Sequence, residues 1–266
     1  MLRRDAAFFG AQTTRQPGEG AGRKPSTLVL FDIDGTLVEG GIFSAMFTKA
    51  AEAVLGRVPQ GRESHIVGGM GVLEEATLMA EEAGTPKERV NEVARAIVDR
   101  AVEYFAERLE SSPAKGCNGA AELLAALGGN GDVVLGIVTH NIEQVAWLKL
   151  ESSGLSAFFK RDGVFLCADS SQDKTENIRA AMCMAADRFN VPFMPNNVVY
   201  FGDQVSDVAA ARAAGIRAVG VGTGRSKLDE LGSAGANAVF NDLSDTGAVV
   251  AAIGIASRQR EKVKNA

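Results

Sequence analysis

The sequence predicts an α/β protein: a doubly wound parallel sheet interrupted by an inserted α-helical domain. Three observations predict it. Short apolar runs, each ending at polar residues or glycine, recur along the chain. Helical patterns follow them, and strand alternating with helix is how parallel sheets are built. One stretch, from Gly40 to Lys115, carries helical spacing throughout and no convincing strand, which makes it too long for a simple crossover.

The elements follow in order. Residues 1–25 read as a disordered tail, because MLRRDAAFFGAQTTRQPGEGAGRK lacks the apolar stretch of a secretory signal. An organellar transit peptide is the alternative, favoured by Arg3, Arg4, Arg15 and Arg23 and opposed by Asp5 and Glu19. After Pro25, the run Thr27-Leu28-Val29-Leu30-Phe31 reads as a buried strand and opens a core spanning residues 26–39 and 116–245. The insertion, residues 40–115, holds helices at Phe43–Leu55, Val72–Glu82 and Pro86–Leu109, the last with Val90, Val93, Ala94, Ile97, Val98, Ala101 and Phe105 at helical spacing. Gly116-Cys117-Asn118-Gly119 marks the return to the core, with Asn118 expected to cap a helix over Ala120–Leu127. Then come a strand at Val133–Val138 and a helix at Ile142–Ser152, whose Trp147 and apolar positions read as core. A helix Thr175–Phe189 opened by Lys174, a strand Val198–Phe201 and a helix Asp207–Ala214 follow. A strand Ile216–Val221, a helix Ser226–Leu231 and a short strand Ala238–Phe240 complete the core, and residues 246–266 form a terminal helix or tail.

Composition narrows the function classes. With 266 residues, 46% hydrophobic and 23% charged positions, and a mean hydropathy of +0.02, the chain can bury a core without staples. Cys117, Cys167 and Cys183 are odd in number and include no CxxC pair, so reduced thiols and a cytoplasmic setting are expected. A net charge of −5 offers no footprint for nucleic acid. No apolar run approaches the roughly 18–20 residues that span a bilayer, so no membrane partner is expected. Either a monomer or a homodimer fits these numbers.

In an open α/β sheet ligands bind beyond the carboxyl ends of the strands, so the residues that terminate strands carry the information. Asp32 and Asp34 end the first, Thr139-His140-Asn141 the second, and Asp203 with Asp207 a later one, while Lys174 opens a helix. Several carboxylates, one cation and one hydroxyl would converge on one rim. Carboxylates that close repel unless a hard divalent cation joins them, and oxygen ligands suit Mg²⁺.

These residues resemble the haloacid dehalogenase superfamily, in its phosphatase branch with a helical cap, over about Thr27 to Asp242. Phe31-Asp32-Ile33-Asp34-Gly35-Thr36-Leu37 is similar to the family's first motif, Thr139 after Gly136-Ile137-Val138 to the second, Lys174 to the third and Gly202-Asp203-Gln204-Val205-Ser206-Asp207 to the acidic fourth. The family commonly has Pro after the lysine, whereas this chain has Thr175. The resemblance implies a Rossmann-like core and hydrolysis of a small-molecule phosphate ester. Asp32 would be the nucleophile and Asp34 the general acid, then base. Thr139 and Lys174 would meet the phosphoryl oxygens, with Gly35, Thr36, His140 and Asn141 binding substrate. Mg²⁺ would sit on Asp32, Asp203 and the Asp34 carbonyl, with Asp207 nearby.

Asp-x-Asp-Gly also begins a calcium loop, but such a loop lacks a preceding apolar strand. Gly220–Gly224 lacks nucleotide-binding spacing, and His65 and His140 have no serine elbow to serve. The glycine-dense segment His65–Gly71 stands where the cap's specificity loop would be, so His65 and Met70 are expected to face substrate. Phosphoglycolate phosphatase-like members often show a basic residue and a Thr-acid pair there, whereas this chain has Met70-Gly71-Val72; that argues against phosphoglycolate and keeps a small sugar-like or apolar ester open. A β-phosphoglucomutase-like phosphomutase and a non-catalytic binding protein of the same fold are the alternatives.

Overall fold

The computed structural model describes residues 24–40, 42–57 and 71–254. Among them six strands form one sheet: β1 (Thr27–Phe31), β2 (Val133–Val138), β3 (Val164–Leu166), β4 (Val198–Gly202), β5 (Arg217–Val221) and β6 (Ala238–Phe240). Their spatial order is β3-β2-β1-β4-β5-β6, and every neighbouring pair is parallel. The order reverses between β1 and β4, where Phe31 pairs with Ile137 on one side and Phe201 on the other. A crevice opens at such a switch, beyond the strands' carboxyl ends.

Nine α-helices accompany the sheet among the described residues: α1 (Ile42–Leu55), α2 (Val72–Glu82), α3 (Val90–Ser111), α4 (Ala120–Gly128), α5 (Glu143–Ser152), α6 (Lys174–Phe189), α7 (Val205–Ala213), α8 (Leu228–Ser233) and α9 (Thr246–Ile253). Because strand side chains alternate faces, β1 and β4 split their apolar runs between two cores. Val29, Phe31, Val199 and Phe201 pack with α4, α5 and α9, and the Phe31 and Phe201 rings stack at 4.9 Å. Leu28, Leu30, Val198 and Tyr200 pack with α6, α7 and α8 on the opposite face. A sheet covered on both faces explains why these strands read as continuous apolar runs.

Helices α1, α2 and α3 follow β1 and pack on one another, and α3 also meets α5. Their buried side chains, among them Phe47, Ala76, Ile97 and Phe105, join the α4–α5 core. The described part of this stretch holds no strand. No helix among the described residues is long and apolar enough to cross a membrane.

Several boundaries differ from expectation. β3, a three-residue strand at one sheet edge, was not expected, although β6, equally short and at the other edge, was. The expected helix from Pro86 is a 3-10 turn at Lys87–Arg89 followed by α3. Asn118 does not cap α4. Gly119 holds that position at φ +79°, while the Asn118 amide donates to Asp242 at 2.9 Å and its carbonyl accepts from the Leu243 N–H at 3.0 Å. A bond to the segment after β6 therefore replaces the cap. Residues 1–23, and Arg62, His65, Gly68, Gly69 and Met70, lie outside the described residues.

Candidate active site

The carboxyl edge of β1 and β4 gathers the acidic residues. Asp32 continues the β1 ladder, its N–H donating to the Phe201 carbonyl at 2.9 Å, and it is buried. Asp203 follows the end of β4. Asp207 lies in the first turn of α7, where its Oδ2 accepts from the Gln204 N–H at 3.0 Å and so caps the helix. One carboxylate oxygen from each of Asp32, Asp203 and Asp207 lies within 4.8 Å of the others.

Lys174, the first residue of α6, reaches into this group. Its Nζ lies 2.5 Å from Asp207 Oδ1 and 3.6 Å from Asp32 Oδ1, and the side chain is buried. The Thr175 N–H donates at 2.7 Å to Asp173, the N-cap of α6. Proline at 175 would lack that donor, which gives the departure from the usual motif a local reason.

Burial is the main force on these groups. It pushes the Asp32 carboxyl up to about 7; Lys174 opposes that, and the charges of Asp207, Asp34 and Asp203 add to it. Burial likewise raises Asp203 to about 6 against the Arg225 backbone N–H. For Lys174 burial disfavours the cation, yet Asp207 and Asp32 outweigh it and the pKa rises. Burial, then Lys174, lowers the pKa of His140, which favours its neutral imidazole.

Two glycines let the backbone crowd Asp203. Gly35 has φ +71°, and a Cβ there would come within 2.7 Å of Asp203 Oδ2. A Cβ on Gly224 would lie 1.8 Å from the same oxygen. The loop after β5 is thereby drawn onto the site: Thr223 Oγ1 donates to the Gly35 carbonyl at 2.6 Å, and the Arg225 N–H donates to Asp203 Oδ2 at 2.8 Å. The glycine-rich 220–224 segment gave no nucleotide signal, and its service to Asp203 crosses too much sequence to be read from spacing.

Asp34 stands apart from the acidic group. Its carboxylate accepts from Asn141 Nδ2 at 2.7 Å and from Lys149 Nζ at 2.7 and 2.6 Å, and it keeps 32% side-chain exposure. Asn141 Nδ2 also donates at 2.9 Å to Thr139 Oγ1, which follows β2 and is buried. Lys149 was missed by the sequence reading. The available signal was one lysine on the otherwise apolar stripe of Val145, Ala146 and Leu150 in α5.

The structure thus brings together Asp32, Lys174, Asp203 and Asp207, and beside them Asp34, Thr139 and Asn141. The N–H groups of Gly35 and Thr36 close the turn after β1, donating to Val38 at 2.8 Å and Ile33 at 3.3 Å. The Thr36 side chain is fully buried with its hydroxyl unpartnered. Asn141 meets Asp34, Lys149 and Thr139. His140 Nε2 is buried without a hydrogen-bond partner.

Residues 27–215 match the model of the haloacid dehalogenase-like hydrolases. The chain belongs to that family. A phosphoglycolate phosphatase of Xylella fastidiosa is 32% identical over 195 residues, covering 71% of this chain and 76% of the relative. One of Rhodospirillum rubrum is 30% identical over 226 residues, covering 82% and 88%. Among solved structures, a hydrolase from Pseudomonas syringae superposes with a TM-score of 0.63 at 22% identity, over 87% of this chain and all of that one.

This haloacid dehalogenase-like hydrolase has residues that fit a hard divalent cation. Three buried carboxylates face a single ammonium, and Asp203 Oδ1 is buried with no partner. All the donors are oxygens, the set that Mg²⁺ prefers.

Proposed function

We propose that this hydrolase cleaves a small-molecule phosphomonoester through an aspartyl-phosphate on Asp32, with Mg²⁺ as cofactor. The observation that carries the reading is the separation of two carboxylates only two residues apart. Asp32 sits among Lys174, Asp203 and Asp207, whereas Asp34 is turned out of that group onto Asn141 and Lys149. In this reading one attacks phosphorus and the other moves a proton.

An oxygen of Asp32 forms the bond to phosphorus as the ester oxygen departs, and Asp34, carrying a proton when the substrate is bound, gives that proton to the departing oxygen. Asp34, now ionised, takes a proton from the water that attacks the phosphoryl group, and Asp32 is regenerated with release of phosphate. Lys174 sets a positive charge beside Asp32, where it meets the transferring oxygens. Thr139 Oγ1 accepts from Asn141, which leaves its own O–H proton to be donated to a phosphoryl oxygen. Bound Mg²⁺ would be held by Asp32, Asp203 and Asp207 with the Asp34 carbonyl, and it supplies charge that offsets the phosphoryl oxygens.

Helices α1–α3 form the cap in this reading and choose the leaving group. Gly71, just before α2, supports it, since it packs against the Gln172 side chain of the core so closely that a Cβ would overlap it. The relatives' name makes phosphoglycolate the first ester to test. The experiment is phosphate release from a panel of carboxylate, sugar and nucleotide monophosphates with Mg²⁺. Turnover of a small ester that stops with Asp32→Asn is expected. Isomerised sugar phosphate without free phosphate would identify a phosphomutase, and no turnover of any ester would overturn the reading.

A further inference from the structure

The lysine that sequence reading missed has a place in the chemistry. We propose that Lys149 is a positioning residue for Asp34, fixing the carboxylate at the junction between the insertion helices and the core. The inference rests on the reading of Asp34 as the group that moves the proton.

The geometry is saturated. An ammonium has three hydrogens, and Lys149 Nζ has three acceptors: Asp34 Oδ1 at 2.7 Å, Asp34 Oδ2 at 2.6 Å and Asn141 Oδ1 at 2.7 Å. Asn141 in turn donates to Asp34 Oδ2 and to Thr139 Oγ1. Asp34 is therefore held by two donors that also hold each other, and the same asparagine links it to Thr139. A carboxylate on a turn would otherwise sample several rotamers, and holding one of them removes that search from the reaction.

A purely structural pair would look different. Burying a lysine costs several kcal/mol unless strong partners replace its water. Here the lysine side chain is 6% exposed while its partner carboxylate is 32% exposed. Asp34 can be solvated without help, so stabilising Asp34 does not account for a buried cation. What the pair adds is direction. The cover over Lys149 also fits: its Nζ lies 5.9 Å from the ring centroids of both Phe43 and Phe105, which meet edge to face at 5.4 Å. Phe43 belongs to α1 and Phe105 to α3, so the two insertion helices shield the ion pair from water on that side.

The test compares two esters in full-length protein with Mg²⁺: p-nitrophenyl phosphate, whose leaving group needs no proton, and the best alkyl phosphate of the panel, whose leaving group does. kcat/KM reports steps through attack on phosphorus. Lys149→Met keeps the apolar stem and removes the donor, and it should lower kcat/KM for the alkyl ester by about 10- to 100-fold while p-nitrophenyl phosphate changes by about threefold or less. Lys149→Arg, which keeps a donor and the charge, should restore much of the ratio. Lys149→Gln keeps one donor and should fall between, and it serves if the methionine variant does not fold. Equal losses on both esters, or an unchanged ratio in a folded variant, would overturn the inference. If wild-type protein released phosphate from neither ester, the phosphatase reading would fall, and the inference with it. Wild-type turnover with a flat Lys149 series would remove the inference alone.

Discussion

Changing pH across the range in which the buried carboxylates titrate should change how strongly Mg²⁺ stabilises this protein. Asp32 is raised from its ordinary 3.8 to about 7, and Asp203 from 3.8 to about 6. A carboxyl whose pKa rises on folding holds its proton more tightly in the folded chain. Its contribution to stability is fully present below the unfolded value and is lost as pH rises through the folded one. The metal-free protein should therefore lose stability from about pH 4 to about pH 7 through these two groups. Mg²⁺ bound at these carboxylates would compete with the same protons. At about pH 5.5 a carboxyl titrating near 7 is protonated roughly thirty to one, which weakens metal binding about thirtyfold, and one titrating near 6 adds a factor of about four. Together these remove about 2–3 kcal/mol of the stabilisation that a fixed Mg²⁺ concentration gives near pH 8. For a fold of this size that is a Tm difference of about 4–12 °C. Thermal unfolding with Mg²⁺ and with chelator, at both pH values, reads it directly. An equal or larger Mg²⁺ effect at the lower pH would refute the assignment of the metal to this carboxylate group. Asp203→Asn should flatten the difference.

Three further outcomes follow from the same geometry. Asp34→Asn should slow attack on alkyl esters far more than on p-nitrophenyl phosphate, measured as kcat/KM; equal losses would count against its role as acid. Lys174→Met leaves Asp32 and Asp207 buried without their cation, so denaturant unfolding without metal should show a loss of about 3–5 kcal/mol, and an unchanged midpoint would mean the pair does not matter to the fold. Gly224→Ala places a Cβ against Asp203 Oδ2 and should displace that carboxylate, raising the Mg²⁺ concentration for half-maximal activity with little change in Tm in chelator; unaltered Mg²⁺ dependence would argue against Asp203 as a ligand.

The sheet was legible because β1, β2, β4 and β5 are apolar runs buried on both faces that end in polar residues or glycine, with the shorter, partly exposed β6 continuing the alternation of strand and helix. Val164–Leu166 escaped although β6, equally short and at the opposite edge, did not, so strand length alone does not account for the difference. The acidic group was legible because Asp32, Asp203 and Asp207 all lie just beyond strand ends, where topology makes position informative. Lys149 and Gly224 were not, because their significance comes from contacts across the sheet: Lys149 meets a residue 115 positions away, and Gly224 packs on a carboxylate from another strand. The turn after β1 was half legible. Gly35 was expected at the site as a substrate-binding residue; what the sequence did not show is that its N–H closes the turn on Val38 and that its missing Cβ makes room for Asp203.

The central claim is that phosphate passes through Asp32, and mass analysis of rapidly quenched enzyme tests it most directly. The Asp34→Asn variant is mixed with p-nitrophenyl phosphate and Mg²⁺, quenched in acid and digested. Because attack proceeds without Asp34 on this ester while hydrolysis of the intermediate is slowed, a phosphoryl group should accumulate on the peptide containing Asp32 and be absent from Asp32→Asn protein. Release of p-nitrophenol with no phosphoryl group on that peptide at any quench time would contradict the account.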